Sequence, residues 1–279
     1  MDIFSIDNRK IGEAEKTYVI AEIGINHKGD PELAKEMITQ AQAAGADAVK
    51  IQTYLTEKRV AKDSPIFSIL KACELSFDQQ KTLFYFAREK GITLFSTPFD
   101  DESIDFLDSV NNPCYKVASF DLVNKKLLLN VLSVKKPVIL SRGMASRQEM
   151  DEAVLLCREA GVPFAMLHCV SAYPVKSLSS LNLRAIKKIS EMYHCPAGFS
   201  DHTFGIEVAK YAVAAGATII EKHFTLSRDN GAPDNPVSVD PAELQTMTND
   251  VRRIEQIMGN ARFGDVSEES GILQFRRPS

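Results

Sequence analysis

Short apolar runs rich in β-branched residues recur along the chain: YVIAEIG (18–24), DAVKIQT (47–53), ITLFSTP (92–98) and CYKVAS (114–119). They continue with PVILSRG (137–143), FAMLHC (164–169), AGFSDH (197–202) and TIIEKHF (218–224). Between them the apolar positions change to the helical period of three to four residues. PELAKEMITQAQAAG opens with Pro31 at a first helical position and stops at Gly45, and SFDQQKTLFYFAREKG starts on Ser76 and stops at Gly91. SRQEMDEAVLLCREAG places Glu149 three residues after Ser146, the spacing of a capping box, and ends at Gly161. DESIDFLDSV, KKLLLNVLSV, LNLRAIKKISEMY, GIEVAKYAVAAG and PAELQTMTNDVRRIEQIM read as further helices. Eight strand-like runs, each followed by a helix, predict an α/β fold with a parallel sheet. Eight such units in about 240 residues predict a closed (β/α)₈ TIM barrel over a doubly wound sheet. No GxGxxG follows the first strand-like run, so a dinucleotide-binding fold has no local support.

Residues 1–17 read as an N-terminal β-hairpin that closes the barrel floor, residues 18–260 as the barrel, and residues 261–279 as a tail or the start of a linker. Composition changes this picture little. With 279 residues, 44% of them hydrophobic and 25% charged, the chain can bury a sizeable core. A net charge of −4 disfavours nucleic acid or an anionic membrane as partner. No run approaches the roughly 18 apolar residues of a membrane span, and the N-terminus has no uninterrupted signal-peptide core. Five scattered cysteines, without CxxC spacing, are expected as reduced thiols of a cytoplasmic protein.

In a barrel of this kind the C-terminal ends of the strands face the active-site mouth, and the polar residues gather there. Glu22 is followed by Asn26 and His27; then come Lys50, Gln52 and Thr53, Ser96 and Thr97, Lys116 and Ser119, and His168. The last two strands bring Ser200, Asp201 and His202, and Glu221, Lys222 and His223. One polar strand end is ordinary solvation, whereas convergence from seven of eight strands is not. Lys50 and Lys116 lie inside apolar runs, where unpaired ammoniums are expensive to bury. Together they suit a phosphate or carboxylate, with the Ser119 and Ser200 hydroxyls adding hydrogen bonds. His202 and His223 would each alone pass for a core histidine, but as a pair on neighbouring strands they can converge on one divalent cation. Imidazole suits Mn, Fe, Co, Ni or Zn, and a site completed by water and substrate oxygens tolerates Mn²⁺ or Mg²⁺. Glu22 is a base, an outer metal ligand, or the partner of Lys50 in a buried ion pair. His168 reads as structural or as a support behind a functional residue, and His194 as a surface residue.

AEIGINHKGD, DAVKIQT, FSTPFD, YKVAS, PVILSRGM, LHCVSAYP, GFSDHTFG and EKHFT, in this order from about residue 17 to 240, resemble the sialic acid synthase (N-acetylneuraminate synthase) family. The resemblance implies a (β/α)₈ barrel that condenses phosphoenolpyruvate with an N-acylated hexosamine such as N-acetylmannosamine, giving a nonulosonate and phosphate. It implies catalytic roles for Glu22, Lys50 and Lys116, with Lys50, Lys116, Ser119, Ser171 and Ser200 around phosphoenolpyruvate. It further implies Gln52, Thr97, Phe99, Asp121, Tyr173 and Asp234 at the amino sugar, and His202 and His223 as ligands of a divalent metal. Mn²⁺ is the metal expected, with Mg²⁺ or Co²⁺ as alternatives. Asp121 stands where the family commonly has a glutamate, Ser171 where relatives often have an asparagine, and APDN where they have a GPDH-like run. The family continues beyond an arginine-rich segment into an antifreeze-like domain that reaches a partner barrel; FRRPS (275–279) falls where that linker would begin. The resemblance therefore covers the barrel only, as a shortened chain or a barrel-only relative, and implies a homodimer. A metal-dependent keto-acid aldolase or lyase and a non-catalytic sugar-binding barrel are the competing readings.

Overall fold

The computed structural model describes residues 4–259 and 267–277. A hairpin of β1 (Phe4–Ile6) and β2 (Arg9–Ile11) precedes β3 (Tyr18–Gly24), α1 (Pro31–Ala43), β4 (Ala48–Thr53), α2 (Thr56–Arg59), α3 (Phe67–Cys73) and α4 (Phe77–Lys90). The chain continues through β5 (Thr93–Pro98), α5 (Asp101–Ser109), β6 (Tyr115–Val117), α6 (Lys125–Ser133), β7 (Val138–Ser141) and α7 (Arg147–Glu159). It closes with β8 (Phe164–Cys169), α8 (Arg184–Tyr193), β9 (Ala197–Asp201), α9 (Glu207–Ala214), β10 (Ile219–His223) and α10 (Pro241–Met258). Strands β3 to β10 pair in parallel in chain order, and β10 returns to β3, so the predicted eight-stranded barrel is the observed one. Several strands are shorter than the apolar runs that announced them: Ser119 and His202 fall just past β6 and β9.

Local chemistry fixes the helix starts. Asp30 caps α1 by accepting from the backbone of Glu32 and Leu33, with Pro31 at the first position. Ser76 with Gln79, Ser146 with Glu149 and Asp240 with Glu243 form reciprocal capping boxes. The short helices α2 and α3 were not expected; they fold the connection between β4 and α4 over the mouth. Residues 267–275 form an exposed 3₁₀ helix, and the rest of the predicted tail, 261–266 and 278–279, lies outside the described residues. Among the described residues no helix is long and apolar enough to cross a membrane.

The strands are buried on both faces, as parallel strands under helices must be. Val19, Ala21, Ile23, Val49 and Ile51 face the helical layer, where they join Met37, Ile38, Leu83 and Phe84. The alternate residues face inward: Tyr18, Ile20, Ala48, Phe95, Cys114, Ile139, Ala165, Leu167 and Ile219 form a separate cluster with Phe4, Ile6 and Ile11 of the hairpin. The hairpin thus plugs the barrel floor. Gly198 occupies the narrowest inward position, since a Cβ there would lie 2.4 Å from the Ile219 carbonyl oxygen and 2.6 Å from Leu167 Cδ2.

Candidate active site

The inward phase that begins at the floor as Tyr18 and Ile20 continues, two residues on, as Glu22. In the same way Ala48 leads to Lys50 and Gln52, Phe95 to Thr97, Cys114 to Lys116, and Ile219 to Glu221 and His223. One set of strands therefore presents an apolar layer below and a charged layer above. Glu22, Lys50, Lys116 and Glu221 are each at most 4% exposed, so their charges depend on one another. The Lys50 ammonium pairs with Glu22 and lies 3.6 Å from Glu221 Oε2, while Lys116 lies 3.5 Å from Glu221 Oε1. Ser200 donates to Glu221 Oε1 at 2.7 Å, and Lys50 donates to Thr97 Oγ1 at 3.2 Å. Burial is the largest influence on Lys50 and opposes its charge, but Glu22 and Glu221 outweigh it and hold the ammonium above its ordinary pKa. Lys116 goes the other way: burial dominates and lowers it. Burial also opposes ionisation of Glu221, yet Lys116 and Lys50 together hold its carboxyl well below the usual range.

Glu221 is the central residue that the sequence reading placed at a strand end without assigning it a role. Strand alternation was the available signal, because it points Glu221 and His223 inward and Lys222 outward. Arg59, which the sequence pattern does not single out, and Asn26, which it places at the mouth without a role, also shape the site. Arg59 on α2 donates to Gln52 Oε1 at 3.0 Å and stacks over Phe99 with its guanidinium carbon 3.6 Å from the ring centre. Asn26 receives the backbone N–H of Asp234 at 3.1 Å and donates to the Phe224 carbonyl at 2.9 Å, which fixes the loop after β10.

The remaining predicted residues form three groups around the charged layer. Ser119 and Ser171 hydroxyls meet at 2.8 Å. Gly143, at φ +43°, lets the backbone after β7 approach this pair: a Cβ there would lie 2.2 Å from Ser119 Cβ. Gln52 donates weakly to Glu22 Oε1 at 3.4 Å, beside Arg59 and Phe99. Asp121 makes no hydrogen bond to another predicted site residue among those described; it is half-buried, and burial raises its pKa. Tyr173 stands with its ring centre 4.1 Å from that of His202 and 6.0 Å from that of His223.

The two imidazoles have ring centres 5.6 Å apart. His202 Nδ1 lies 2.8 Å from the Val170 carbonyl; the proton must be on Nδ1, which leaves the Nε2 lone pair free to ligate. Burial, then His223, lowers His202 to about 3, so it is held neutral as a ligand must be. His223 Nδ1 is buried without a hydrogen-bond partner among the described residues, 3.5 Å from Asp234 Oδ2. Among the described residues no group of three or more His, Cys, Asp or Glu side chains is arranged around one metal position. The donor set thus fits a divalent ion held by two imidazoles, with its other positions left to water and substrate. His168 is structural, as expected: Arg142 donates to its Nδ1 at 3.2 Å, and its Nε2 lies 2.6 Å from the Leu181 carbonyl. His194 is exposed.

A family model for the NeuB family matches residues 37–263. The chain belongs to the NeuB family. It is 40% identical over 279 residues to an uncharacterised protein of Methanocaldococcus jannaschii, covering 99% of this chain and 82% of that protein. It is 37% identical over 297 residues to the N,N′-diacetyllegionaminic acid synthase of Legionella pneumophila, covering 98% and 83%. The solved structure of the N-acetylneuraminic acid (sialic acid) synthetase of Leptospira borgpetersenii, in complex with citrate, matches with a TM-score of 0.95 at 36% identity. That match covers 99% of this chain and 96% of the other. This NeuB-family chain is therefore a synthase-type enzyme on a (β/α)₈ barrel.

Proposed function

We propose that the mouth condenses phosphoenolpyruvate with the open-chain aldehyde of an N-acylated hexosamine of the N-acetylmannosamine kind. The products are a sialic-acid-type nonulosonate and inorganic phosphate. The buried pair Lys50 and Lys116 around Glu221 supports this most strongly, because two desolvated ammoniums beside a ring of hydroxyls suit a doubly anionic donor better than a neutral sugar. Ser119 and Ser171 supply hydroxyl donors to the same ligand, and Ser200 would join them by turning its hydroxyl away from Glu221. Gln52, Thr97, Phe99, Asp121, Tyr173 and Asp234 surround the acceptor.

The methylene carbon of phosphoenolpyruvate forms the new bond to the aldehyde carbon, whose oxygen takes a proton and becomes a hydroxyl. Positive charge then develops on the adjacent phosphoenolpyruvate carbon, next to the carboxylates Glu22 and Glu221. Water adds to that carbon and gives up one proton, through Glu22, to the new alkoxide oxygen; as the carbon–oxygen bond to phosphate breaks, the water's second proton leaves with the phosphate and the ketone remains. His202 and His223 would hold a divalent cation, Mn²⁺ first and Mg²⁺ or Co²⁺ as alternatives, which would supply Lewis-acid polarisation of the aldehyde oxygen. The fixed lysines and hydroxyls hold the donor in line with the acceptor.

The test is phosphate release from phosphoenolpyruvate against a panel of N-acylated hexosamines. Phosphate formed one-for-one with a nonulosonate, and only when both substrates are present, is the expected result. Pyruvate formed from a keto sugar acid without phosphate would assign a lyase instead, and no turnover with ligand binding would assign a binding barrel.

A further inference from the structure

Behind the two histidines lies a second buried ion pair that the condensation does not use. Lys222 and Asp201 are both 0% exposed. They stand opposite each other in the β9–β10 register, as Glu221 and Ser200 do one residue earlier. Because Ser200 and Glu221 face the barrel interior, Asp201 and Lys222 face outward, and the next residues return inward as His202 and His223. Lys222 Nζ lies 3.2 Å from Asp201 Oδ2 and donates to the Thr203 carbonyl at 2.6 Å. Asp201 Oδ1 in turn accepts from the Thr203 backbone N–H at 2.8 Å and from the Thr203 hydroxyl at 2.7 Å. The residues on both sides of His202 are thus tied to the residue before His223. On the inner face, the Ser200 hydroxyl on Glu221 ties the same two strands.

A buried ion pair of this kind gives little net stability compared with apolar residues of the same shape. What it does give is a fixed arrangement, since the ammonium and the carboxylate each also hydrogen-bond Thr203, which locks the three residues together. Asp201 Oδ2 has no hydrogen bond among the described residues and lies 3.2 Å from the Lys222 ammonium. We propose that Asp201, Thr203 and Lys222 are positioning residues: a clamp on the outer face of the sheet that sets the spacing and ring orientation of His202 and His223. This rests on the reading of the two imidazoles as metal ligands.

Three proteins test it: wild type, H202A/H223A, and D201N/K222M, which removes the cross-strand tie while leaving no lone buried charge. Mn²⁺ binding is measured by titration and by the electron paramagnetic resonance spectrum of the bound ion, and folding by the thermal midpoint without metal. The expected result is that D201N/K222M melts within a few degrees of wild type, binds Mn²⁺ at least tenfold more weakly and shows a broadened spectrum. Wild-type affinity and spectrum in D201N/K222M overturn the clamp while leaving the ligand assignment intact. Unchanged binding in H202A/H223A instead overturns the ligand assignment, and the clamp with it. If D201N/K222M does not fold, T203V carries the same test, because it loses only the hydroxyl on Asp201. Weaker Mn²⁺ binding at an unchanged midpoint supports the clamp, and unaltered binding overturns it.

Discussion

The floor and the mouth of this barrel are built from the same strands two residues apart, and they follow opposite rules. At the floor, Tyr18, Ile20, Phe95 and Ile219 close around Phe4 and Ile6 without an unpaired charge. At the mouth, Lys50, Lys116, Glu22 and Glu221 are buried as deeply but depend on one another for compensation. The first layer lowers the free energy of the fold. The second is an expensive arrangement, and the proposed use for it is a charged ligand. Changes at the floor should therefore alter stability and spare kinetics, whereas changes at the mouth should act first on kinetics.

The sharpest way to break this contrast is K116M. Lys116 is a desolvated ammonium whose contact with Glu221 is long at 3.5 Å. Its removal should lower kcat/KM by about 10³-fold or more, and because Glu221 keeps Lys50 at 3.6 Å as its remaining cation, the stability loss should stay below the roughly 3–5 kcal/mol of a buried charge left wholly unpaired. Retained turnover would remove the cation layer from the chemistry. At the floor, F4A should cost about 3–4 kcal/mol in denaturant unfolding, with kcat and KM within about twofold of wild type. A change in KM for either substrate would show that the two ends are coupled.

A smaller effect is expected at the rim. His27 is 1% exposed, and burial lowers it to about 4. Its Nδ1 accepts from the Gly29 backbone at 3.1 Å, a bond only the neutral ring can make. The folded pKa lies below the unfolded value of about 6.5, so this stability is complete above that pH and is lost as pH falls toward the folded value. Unfolding free energy should drop by roughly 2–3 kcal/mol across that window, and H27Q should flatten this part of the curve. An identical slope in H27Q would show that other groups cause the loss. The mildest change, R59M, should raise KM for the acceptor sugar about tenfold, roughly 1.4 kcal/mol, and leave KM for phosphoenolpyruvate unchanged. Equal shifts in both would move Arg59 away from the sugar side.

The barrel was legible because buried parallel strands and capped helices write themselves into short-range patterns, as at Ser146 with Glu149. Lys50 and Gln52 were legible for the same reason: they share one phase of an otherwise apolar run. That rule also reaches Glu221, whose role was hidden among three consecutive polar residues, EKH, until the inward phase was traced from Ile219. Arg59 had no such signal. It reaches Phe99 from a four-residue helix in a connection without periodicity, and only the path of the chain brings it there. The meeting of Ser119 with Ser171 across Gly143 is likewise a long-range contact that spacing does not encode.

The most direct measurement is a crystal structure of the protein with Mn²⁺ and phosphoenolpyruvate, with data collected at an energy where manganese scatters anomalously. The expected result is a single anomalous peak within ligand distance of His202 and His223, about 2.1–2.3 Å, and the phosphate or carboxylate of the donor against Lys50 and Lys116. A manganese peak away from both histidines, or a donor bound outside the Lys50–Glu221–Lys116 layer, would contradict it.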